Sequence, residues 1–161
     1  MEERFAALPY RPCVGVMLVN PQARVFVGKR IDNAASEFWQ MPQGGIDPGE
    51  DLHTAALREL WEETGVAAGH VELVAQTRAP LLYDLPDELL GRVWGGKYRG
   101  QTQHWLLARF SGADADIRID HHDPAEFCEW QWVAPERLVD LIVPFKKHVY
   151  EAVLEEFSGL I

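Results

Sequence analysis

The chain has 161 residues, 47% of them hydrophobic, which is enough for one domain with its own core and too few for two domains of ordinary size. Its 25 acidic and 15 basic side chains give a net charge of −10, which disfavours non-specific binding to nucleic acid or to an anionic membrane. No signal or transit peptide and no apolar run of about 18 residues is visible, so a cytoplasmic location is expected. Cys13 and Cys128 lie in apolar runs and are expected to be buried free thiols in a reducing compartment.

Two strands are predicted before residue 30. Residues 13–19 (CVGVMLV) have the apolar character of a buried strand, and the turn at 20–23 leads into a second strand at 24–29. Because the turn is short, the two strands are predicted to form a hairpin. Residues 31–37 are polar and are predicted to form a loop.

A turn-rich loop and a helix follow at residues 44–66. Glycine and proline at 45, 48 and 49 predict a tight loop, because glycine allows positive φ and proline fixes its own φ. Asp51 is expected to cap the helix N-terminus and Gly65 to end it in a left-handed conformation. The sequence therefore predicts a helix of about 14 residues between these caps.

The two sides of this helix differ in character. The side predicted to face the core carries Leu57, Leu60, Trp61 and Thr64. The other side carries Glu59, Glu62 and Glu63, with Ala55 and Ala56 leaving room beside them. Three carboxylates on one patch repel each other, and a divalent cation such as Mg²⁺ or Mn²⁺ would offset that repulsion. A solvated acidic surface is the alternative interpretation.

The second half of the chain alternates between predicted strands and loops. Strands are predicted at 71–76, 81–83, 102–110 and 127–133. The long irregular stretch at 84–100 is expected to be functional or mobile.

The last part of the chain is predicted to be helical. Helices are predicted from Pro135 to Leu141 and from Pro144 onward, the second packing on the sheet. Its apolar stripe consists of Phe145, Val149, Ala152, Val153 and Phe157. Trp130 and Trp132 share one side of their strand and are expected to be core residues rather than a ligand platform. Asp114 and Asp116 are expected to be only solvated.

Nine positions of the loop and helix fill the pattern G-x5-E-x7-R-E-L-x-E-E-x-G-V, from Gly44 and Glu50 to Gly65 and Val66. In this feature the chain resembles the Nudix hydrolases, whose signature is this Nudix box. The resemblance implies an α/β (α+β) fold, an αβα sandwich around a mixed β-sheet, with the loop-helix-loop as metal site. One Nudix domain is expected over 1–161, with motifs over 10–157 and the box at 44–66.

Five further motifs resemble the bacterial RNA pyrophosphohydrolases, also called (di)nucleoside polyphosphate hydrolases. They are YRP at 10–12, WQMPQGG at 39–45, GQTQ at 100–103, PAEF at 124–127 and VPFK at 143–146. The chain departs from the pattern at His104, where close relatives often carry lysine. Because an ordinary histidine titrates near pH 6.5, this departure means that a permanent cation is not expected there near neutral pH.

The resemblance also implies roles for individual residues. Glu59, Glu62 and Glu63 would hold Mg²⁺, or Mn²⁺ or another divalent cation, together with the carbonyl group of Gly44. Glu126 would add a ligand or act as general base, and Arg58 would orient the glutamates. Substrate contacts are implied for Arg11, Arg30, Gln43, Tyr83, Lys97, Gln103, Val143 and Phe145. Val143 and Phe145 would cover a base, although Phe145 also fits the apolar stripe of the last helix.

The activity implied is hydrolysis of phosphoanhydride bonds by metal-activated water. The substrate would be a triphosphorylated RNA 5′ end, a dinucleoside polyphosphate, or both, with no membrane or double-stranded DNA as partner and no protein partner indicated. Three alternatives remain open: asymmetric diadenosine tetraphosphate hydrolysis as the main role, another Nudix specificity such as sugar nucleotides or oxidised nucleoside triphosphates, and a non-catalytic nucleotide-binding module.

Overall fold

A computed structural model describes residues 2–161, with Asn33 described through its backbone alone. Within these residues one sheet contains β1 (Tyr10–Val19), β2 (Val25–Arg30), β3 (Gln43–Gly45), β4 (Val71–Gln76), β5 (Leu81–Asp84), β6 (Gly100–Phe110) and β7 (Phe127–Val133). The α-helices are α1 (Glu3–Ala6), α2 (Leu52–Thr64), α3 (Leu138–Leu141) and α4 (Lys147–Phe157). The 3₁₀ turns Pro135–Arg137 and Pro144–Lys146 lead into α3 and α4.

Strand β1 organises the sheet, whose main order is β4-β6-β1-β2-β7. It runs parallel to β6 along its full length, and every other strand pair is antiparallel. Its opposite edge is divided, because β3 pairs with Cys13–Gly15 whereas β2 pairs with Val19. The division places β3, and the loop that follows it, at the N-terminal end of β1.

The two faces of the sheet are covered by different helices, as strand alternation requires. Met17 and Val19 of β1 belong to a core cluster with Val149 and Val153 of α4. Val14, Val16 and Leu18 point the other way, into a cluster with Ala55, Ala56 and Leu60 of α2. The predicted αβα sandwich around a mixed sheet is therefore confirmed.

Helix α2 has the predicted caps. The side chain of Asp51 accepts a hydrogen bond from the Thr54 N–H at 2.8 Å, and Gly65 ends the helix with φ of 74°. The predicted orientation of α2 toward the core is wrong at Trp61. This residue is 47% exposed, whereas Ala55 and Ala56 are buried. The small alanines let the helix lie close to the sheet, and Trp61 instead contacts the ring of His121, with 4.5 Å between centroids.

Most predicted strands lie within three residues of their expected bounds, and those at Val71–Gln76 and Phe127–Val133 agree at both ends. The predicted hairpin of β1 and β2 exists, but its strands pair only at Val19 and Val25, and β2 pairs along its length with β7. The helix Glu3–Ala6 was not predicted.

Two aspartates before β7 and the two tryptophans of β7 all make contacts within the protein. Asp114 accepts a hydrogen bond from Trp132 Nε1 at 2.9 Å and Asp116 accepts one from the Ala113 N–H at 2.8 Å, so the expectation that both are only solvated is wrong. Trp130 and Trp132 pack against Phe26, with centroids 5.6 and 6.1 Å away, which confirms their core role.

The apolar stripe of α4 is buried as predicted at Val149, Val153 and Phe157. Cys13 is fully buried, Cys128 is half-buried, and both are free thiols. None of the helices formed by residues 2–161 combines the length and the apolar character needed to cross a membrane.

Candidate active site

The candidate site begins where β3 passes into the loop before α2. The Glu59 carboxylate lies directly against the backbone of Gly44, because a Cβ atom at position 44 would be 2.1 Å from Glu59 Cδ. Any side chain at 44 would displace the carboxylate. The pairing of β3 with β1 fixes the Gly44 backbone at this place.

Glu63 is the most buried acid of the site, with 5% exposure. Its Oε2 accepts a hydrogen bond from the Gln43 N–H at 3.1 Å. Burial raises the pKa of Glu63 well above its ordinary value, and the negative charges of Glu59 and Glu126 raise it further. Within residues 2–161 Glu63 belongs to no ion pair, and the Gln43 N–H and the charge of Arg30 offset its burial only in part.

Glu59 and Glu62 lie nearer the surface and share one cation. Arg58 Nη1 donates to Glu59 Oε1 at 2.8 Å and to Glu62 Oε2 at 3.3 Å. Burial raises the pKa of Glu59, although Arg58 opposes that effect. Glu62 retains 29% side-chain exposure, against 13% for Glu59.

Arg58 is locked in place by Glu50, a box residue for which the sequence indicated no role. Nε and Nη2 of Arg58 each donate to one Glu50 oxygen at 2.8 Å, and Nη2 also donates to the Gly45 carbonyl at 2.9 Å. These hydrogen bonds lower the pKa of Glu50 to about 2. The fork of Arg58 thus joins the loop to the helix, as bidentate guanidinium geometry allows.

Glu126 reaches the site from the residues just before β7. Its Oε1 lies 3.4 Å from Arg30 Nη1, and its side chain is 37% exposed. Its charge acts on both Glu59 and Glu63, raising the pKa of each. The structure therefore brings the acid from outside the box together with the acids of the helix.

The residues fit a hard divalent cation by their chemistry. Oxygen donors predominate, Glu63 is buried beside two like charges, and Arg58 is already engaged by Glu50. Within the described part of the chain, however, no three acidic, histidine or cysteine side chains are already gathered into a coordination sphere. Cation binding would have to draw the carboxylates together.

Three cations border the acidic cluster. Arg30 donates two hydrogen bonds to Asp32, at 2.9 and 2.6 Å, in addition to its ion pair with Glu126. Arg11 lies over the loop, since a Cβ at Gly45 would be 2.6 Å from Arg11 Nη2. Lys146, not predicted as a site residue, is the third.

A cavity of about 480 Å³ adjoins two of these cations, Arg30 and Lys146. Its walls are mainly aromatic and aliphatic, and include Trp39, Tyr83, Trp94, Val143 and Phe145. The rings of Tyr83 and Phe145 lie 5.7 Å apart. Phe145 also packs against the core, so both of its predicted roles are compatible with its position.

Lys146 places an amine in this apolar wall. Its Nζ lies 5.2 Å from the ring centroid of Tyr83 and 5.8 Å from that of Phe145. Burial, and then the charge of Arg30, lower the pKa of Lys146 to about 8. Lys97 is different, since it is exposed and does not line the cavity.

Gln43 and Gln103 belong to a buried amide network. Nε2 of Gln103 donates to Gln43 Oε1 at 3.3 Å and to Gln101 Oε1 at 2.6 Å, while its Oε1 accepts from Trp105 Nε1 at 2.8 Å. Its donors and its oxygen are thus engaged with protein, and neither Gln103 nor Gln43 lines the cavity. Direct contact of either residue with substrate stays a prediction.

Two buried nitrogen atoms have no hydrogen-bond partner within residues 2–161: Gln40 Nε2 and His104 Nδ1. Gln40 lines the cavity. His104 is half-buried on β6 and alternates with Gln103, so the two side chains point to opposite faces of the sheet.

Comparison with known proteins agrees with this arrangement. The NUDIX domain model matches residues 9–153. The RNA pyrophosphohydrolase of Novosphingobium aromaticivorans is 68% identical over 161 residues, which is all of both chains.

Solved structures extend the likeness at the level of fold. The E. coli dihydroneopterin triphosphate pyrophosphohydrolase has a TM-score of 0.72 at 19% identity, covering 94% of this chain and 99% of that one. A C. elegans Ap4A hydrolase has a TM-score of 0.68 at 18% identity, covering 93% and 99%. At such identities the likeness concerns the fold alone. The chain therefore belongs to the NUDIX family, among the relatives that carry the name RNA pyrophosphohydrolase, as its box and its further motifs predict.

Proposed function

We propose that this NUDIX hydrolase removes pyrophosphate from triphosphorylated RNA 5′ ends, using a divalent cation. The observation that supports it is that three environments follow one another in one site: the acidic residues, then the cations Arg11, Arg30 and Lys146, then the aromatic cavity, which Arg30 and Lys146 line. An RNA 5′ end has the matching order of a polyphosphate followed by a base.

Each environment has a distinct role in this proposal. Glu59, Glu62, Glu63 and the Gly44 carbonyl would hold Mg²⁺, with Mn²⁺ as an alternative, and Glu126 would serve either as a further ligand or as general base. When bound, that cation would offset phosphate charge and lower the pKa of a bound water.

The remaining roles belong to the protein's own side chains. Arg58 keeps Glu59 oriented through its 2.8 Å hydrogen bond, and Glu50 keeps Arg58 in place. Glu126 is accessible enough, at 37% exposure, to accept the proton of an attacking water. Arg11 donates to phosphate oxygens and holds the substrate, whereas Arg30 stabilises the charge that develops on the leaving group.

The cavity would receive the first base. Val143 and Phe145 form part of its apolar wall, and Tyr83 lies beneath Phe145. Stacking on aromatic side chains is sequence-tolerant, so this wall alone favours a base without selecting which one. Lys97 is exposed and does not line the cavity, so its contact with the phosphates is the less supported part of the proposal.

RNA is favoured as substrate by the full-length relative at 68% identity, whose name is RNA pyrophosphohydrolase. The net charge of −10 opposes a long RNA track, so recognition should be confined to the first nucleotides. We further propose a single NUDIX domain over residues 1–161 and a cytoplasmic location, where such RNA ends are made.

Hydrolysis of dinucleoside polyphosphates is the second candidate. The same order of carboxylates, cations and one aromatic cavity suits a substrate that has a base at one end of a polyphosphate. Sugar nucleotides and oxidised nucleoside triphosphates are weaker candidates. A non-catalytic binding module is disfavoured because all the box glutamates are retained.

A side-by-side turnover assay with Mg²⁺ tests the choice. A 5′-triphosphate RNA of a few nucleotides and diadenosine tetraphosphate are compared by kcat/KM and by products. Higher kcat/KM on RNA, with pyrophosphate or successive phosphates released, supports the proposal. Faster cleavage of the dinucleotide to ATP and AMP supports the second candidate, and turnover of neither contradicts both.

A further inference from the structure

The guanidinium of Arg11 has almost no partner among the described residues. Its Nη1 donates to Cys13 Sγ at 3.4 Å, and sulfur is a weak acceptor. None of the ion pairs within residues 2–161 includes Arg11. Arg58 and Arg30, by contrast, are each held by two carboxylates or more. Arg11 is therefore the arginine of the site whose donors remain open to an anion.

Packing, rather than hydrogen bonding, holds Arg11 in place. On one side it lies on the backbone of Gly45, where a Cβ would be 2.6 Å from Nη2. On another side lies the indole of Trp94, with 5.4 Å between the Arg11 Cζ and the ring centroid. This is cation–π geometry. Trp94 also lines the cavity, so one ring borders both the cation and the base pocket.

The backbone at Trp94 is unusual for a residue with a large side chain. Its φ is 53° and its ψ is 34°, in the left-handed region. Gly95 and Gly96 follow with φ of 66° and 74°. The left-handed region is uncommon for bulky residues and costs free energy that surrounding contacts must offset. Such conformations concentrate at functional sites, and here the conformation aims the ring at Arg11.

We propose that Trp94 is a positioning residue that holds the Arg11 guanidinium against the Gly45 backbone, so that its open donors meet the phosphate end of the substrate. This inference rests on the proposed function for the identity of that anion. Trp94 acts through Arg11, so its loss should weaken binding of phosphate more than it slows the chemical step.

The test compares Trp94→Ala, Trp94→Phe and Trp94→Gly in the full-length protein. For Trp94→Ala we expect KM on 5′-triphosphate RNA, and the Kd of inorganic pyrophosphate measured by calorimetry with Mg²⁺, to rise about 3- to 30-fold. We expect kcat to change less than about twofold, because the aromatic and cation–π contacts of the ring are with Tyr98 and Arg11. Trp94→Phe should recover part of the affinity, since a smaller aromatic face remains.

Stability separates this role from a merely structural one. Trp94→Gly and Trp94→Ala both lack the ring, but only glycine relieves the left-handed backbone. Trp94→Gly should therefore melt about 2 °C above Trp94→Ala while showing the same loss of affinity. Affinity that follows the melting temperature instead would overturn the proposal.

A double-mutant cycle with Arg11→Ala is decisive. In the Arg11→Ala background, Trp94→Ala should change KM and Kd less than about twofold, because its partner is already absent. An undiminished effect there would mean that Trp94 does not act through Arg11. Arg92→Ala, an exposed cation of the same loop, is the matched control and should leave both constants unchanged. If RNA is not turned over but pyrophosphate binding responds as described, the proposed function fails and the role of Trp94 stands.

Discussion

Replacement of Glu63 by glutamine should raise stability and abolish activity at the same time. Glu63 accepts a hydrogen bond from the Gln43 N–H at 3.1 Å, and the amide of glutamine keeps an oxygen for that bond. The change removes the negative charge of a residue that is 5% exposed and lies near the charges of Glu59 and Glu126. Removal of an uncompensated buried charge should raise the free energy of unfolding of the metal-free protein by about 1–3 kcal/mol. For a chain of this length the melting temperature should rise by about 2–12 °C.

The stability that Glu63→Gln gains over the wild type should depend on pH in a defined direction. The pKa of Glu63 is raised in the folded state, so on raising pH the unfolded chain loses this proton first, near the ordinary value of 4.5. The wild-type protein therefore loses stability as pH rises from about 4.5 to the folded pKa, and the glutamine variant does not. The difference between the two should vanish below about pH 4.5.

Thermal melts in chelator and turnover assays in Mg²⁺ measure the two effects. We expect kcat to fall at least about 100-fold, because in the proposed mechanism this side chain would coordinate the cation and the change removes its charge. Glu62→Gln is the matched control: its side chain is 29% exposed and paired with Arg58, so it should lose activity but change stability by less than about 1 kcal/mol. A Glu63→Gln variant that is destabilised at neutral pH, or that keeps near-normal turnover, would refute the reasoning.

Two further changes test other parts of the site. Gly44→Ala should leave the fold intact and lower kcat at least about 10-fold, because the new methyl group displaces the Glu59 carboxylate. Gly69→Ala is the control and should be neutral, since a Cβ atom there would have no neighbouring atom within 4 Å. Circular dichroism reports the fold and a turnover assay reports kcat, and an active Gly44→Ala variant would contradict the placement of Glu59. Burial lowers the pKa of Lys146 to about 8, so between pH 8 and 10.5 the unfolded chain keeps a proton that the folded chain has lost. The free energy of unfolding of the wild type should therefore rise by about 1–3 kcal/mol over this range, and Lys146→Met should abolish that rise. Chemical unfolding across that pH range measures the change, and Lys147→Met, at an exposed lysine, is the control. The same rise in Lys146→Met as in the wild type would exclude Lys146 as its cause.

Local chemistry accounts for what the sequence predicted well. The caps of α2 depend on Asp51 and Gly65 themselves, and the strands follow from short apolar runs, so neither needs knowledge of distant residues. The box glutamates were predicted to share a surface because helical geometry alone sets their spacing. Family resemblance then supplied Glu126, for which the sequence has no local signal.

Tertiary packing accounts for what was missed. Trp61 was assigned to the core because it shares one side of the helix with Leu60, yet Ala55 and Ala56 pack against the sheet and leave the tryptophan 47% exposed. Amphipathic patterns rank residues by hydrophobicity and do not register such close approach.

Residues of the site that come from separate segments were missed for a related reason. Lys146 follows β7 and Trp94 precedes β6, and their common cavity exists only once the sheet brings those segments together. The left-handed conformation of Trp94 has no local signal except the two glycines after it. Long-range contacts of this kind cannot be read from periodicity.

The most direct test of the account follows the 5′ end of one RNA. Purified wild-type protein and Glu63→Gln are incubated with a 5′-triphosphate oligonucleotide in Mg²⁺ or in chelator, and the 5′-monophosphate product is quantified over time. We expect rapid formation of 5′-monophosphate RNA by the wild type in Mg²⁺ alone, and little by the variant or in chelator. Equal rates for the two proteins, or no monophosphate product from the wild type in Mg²⁺, would contradict it.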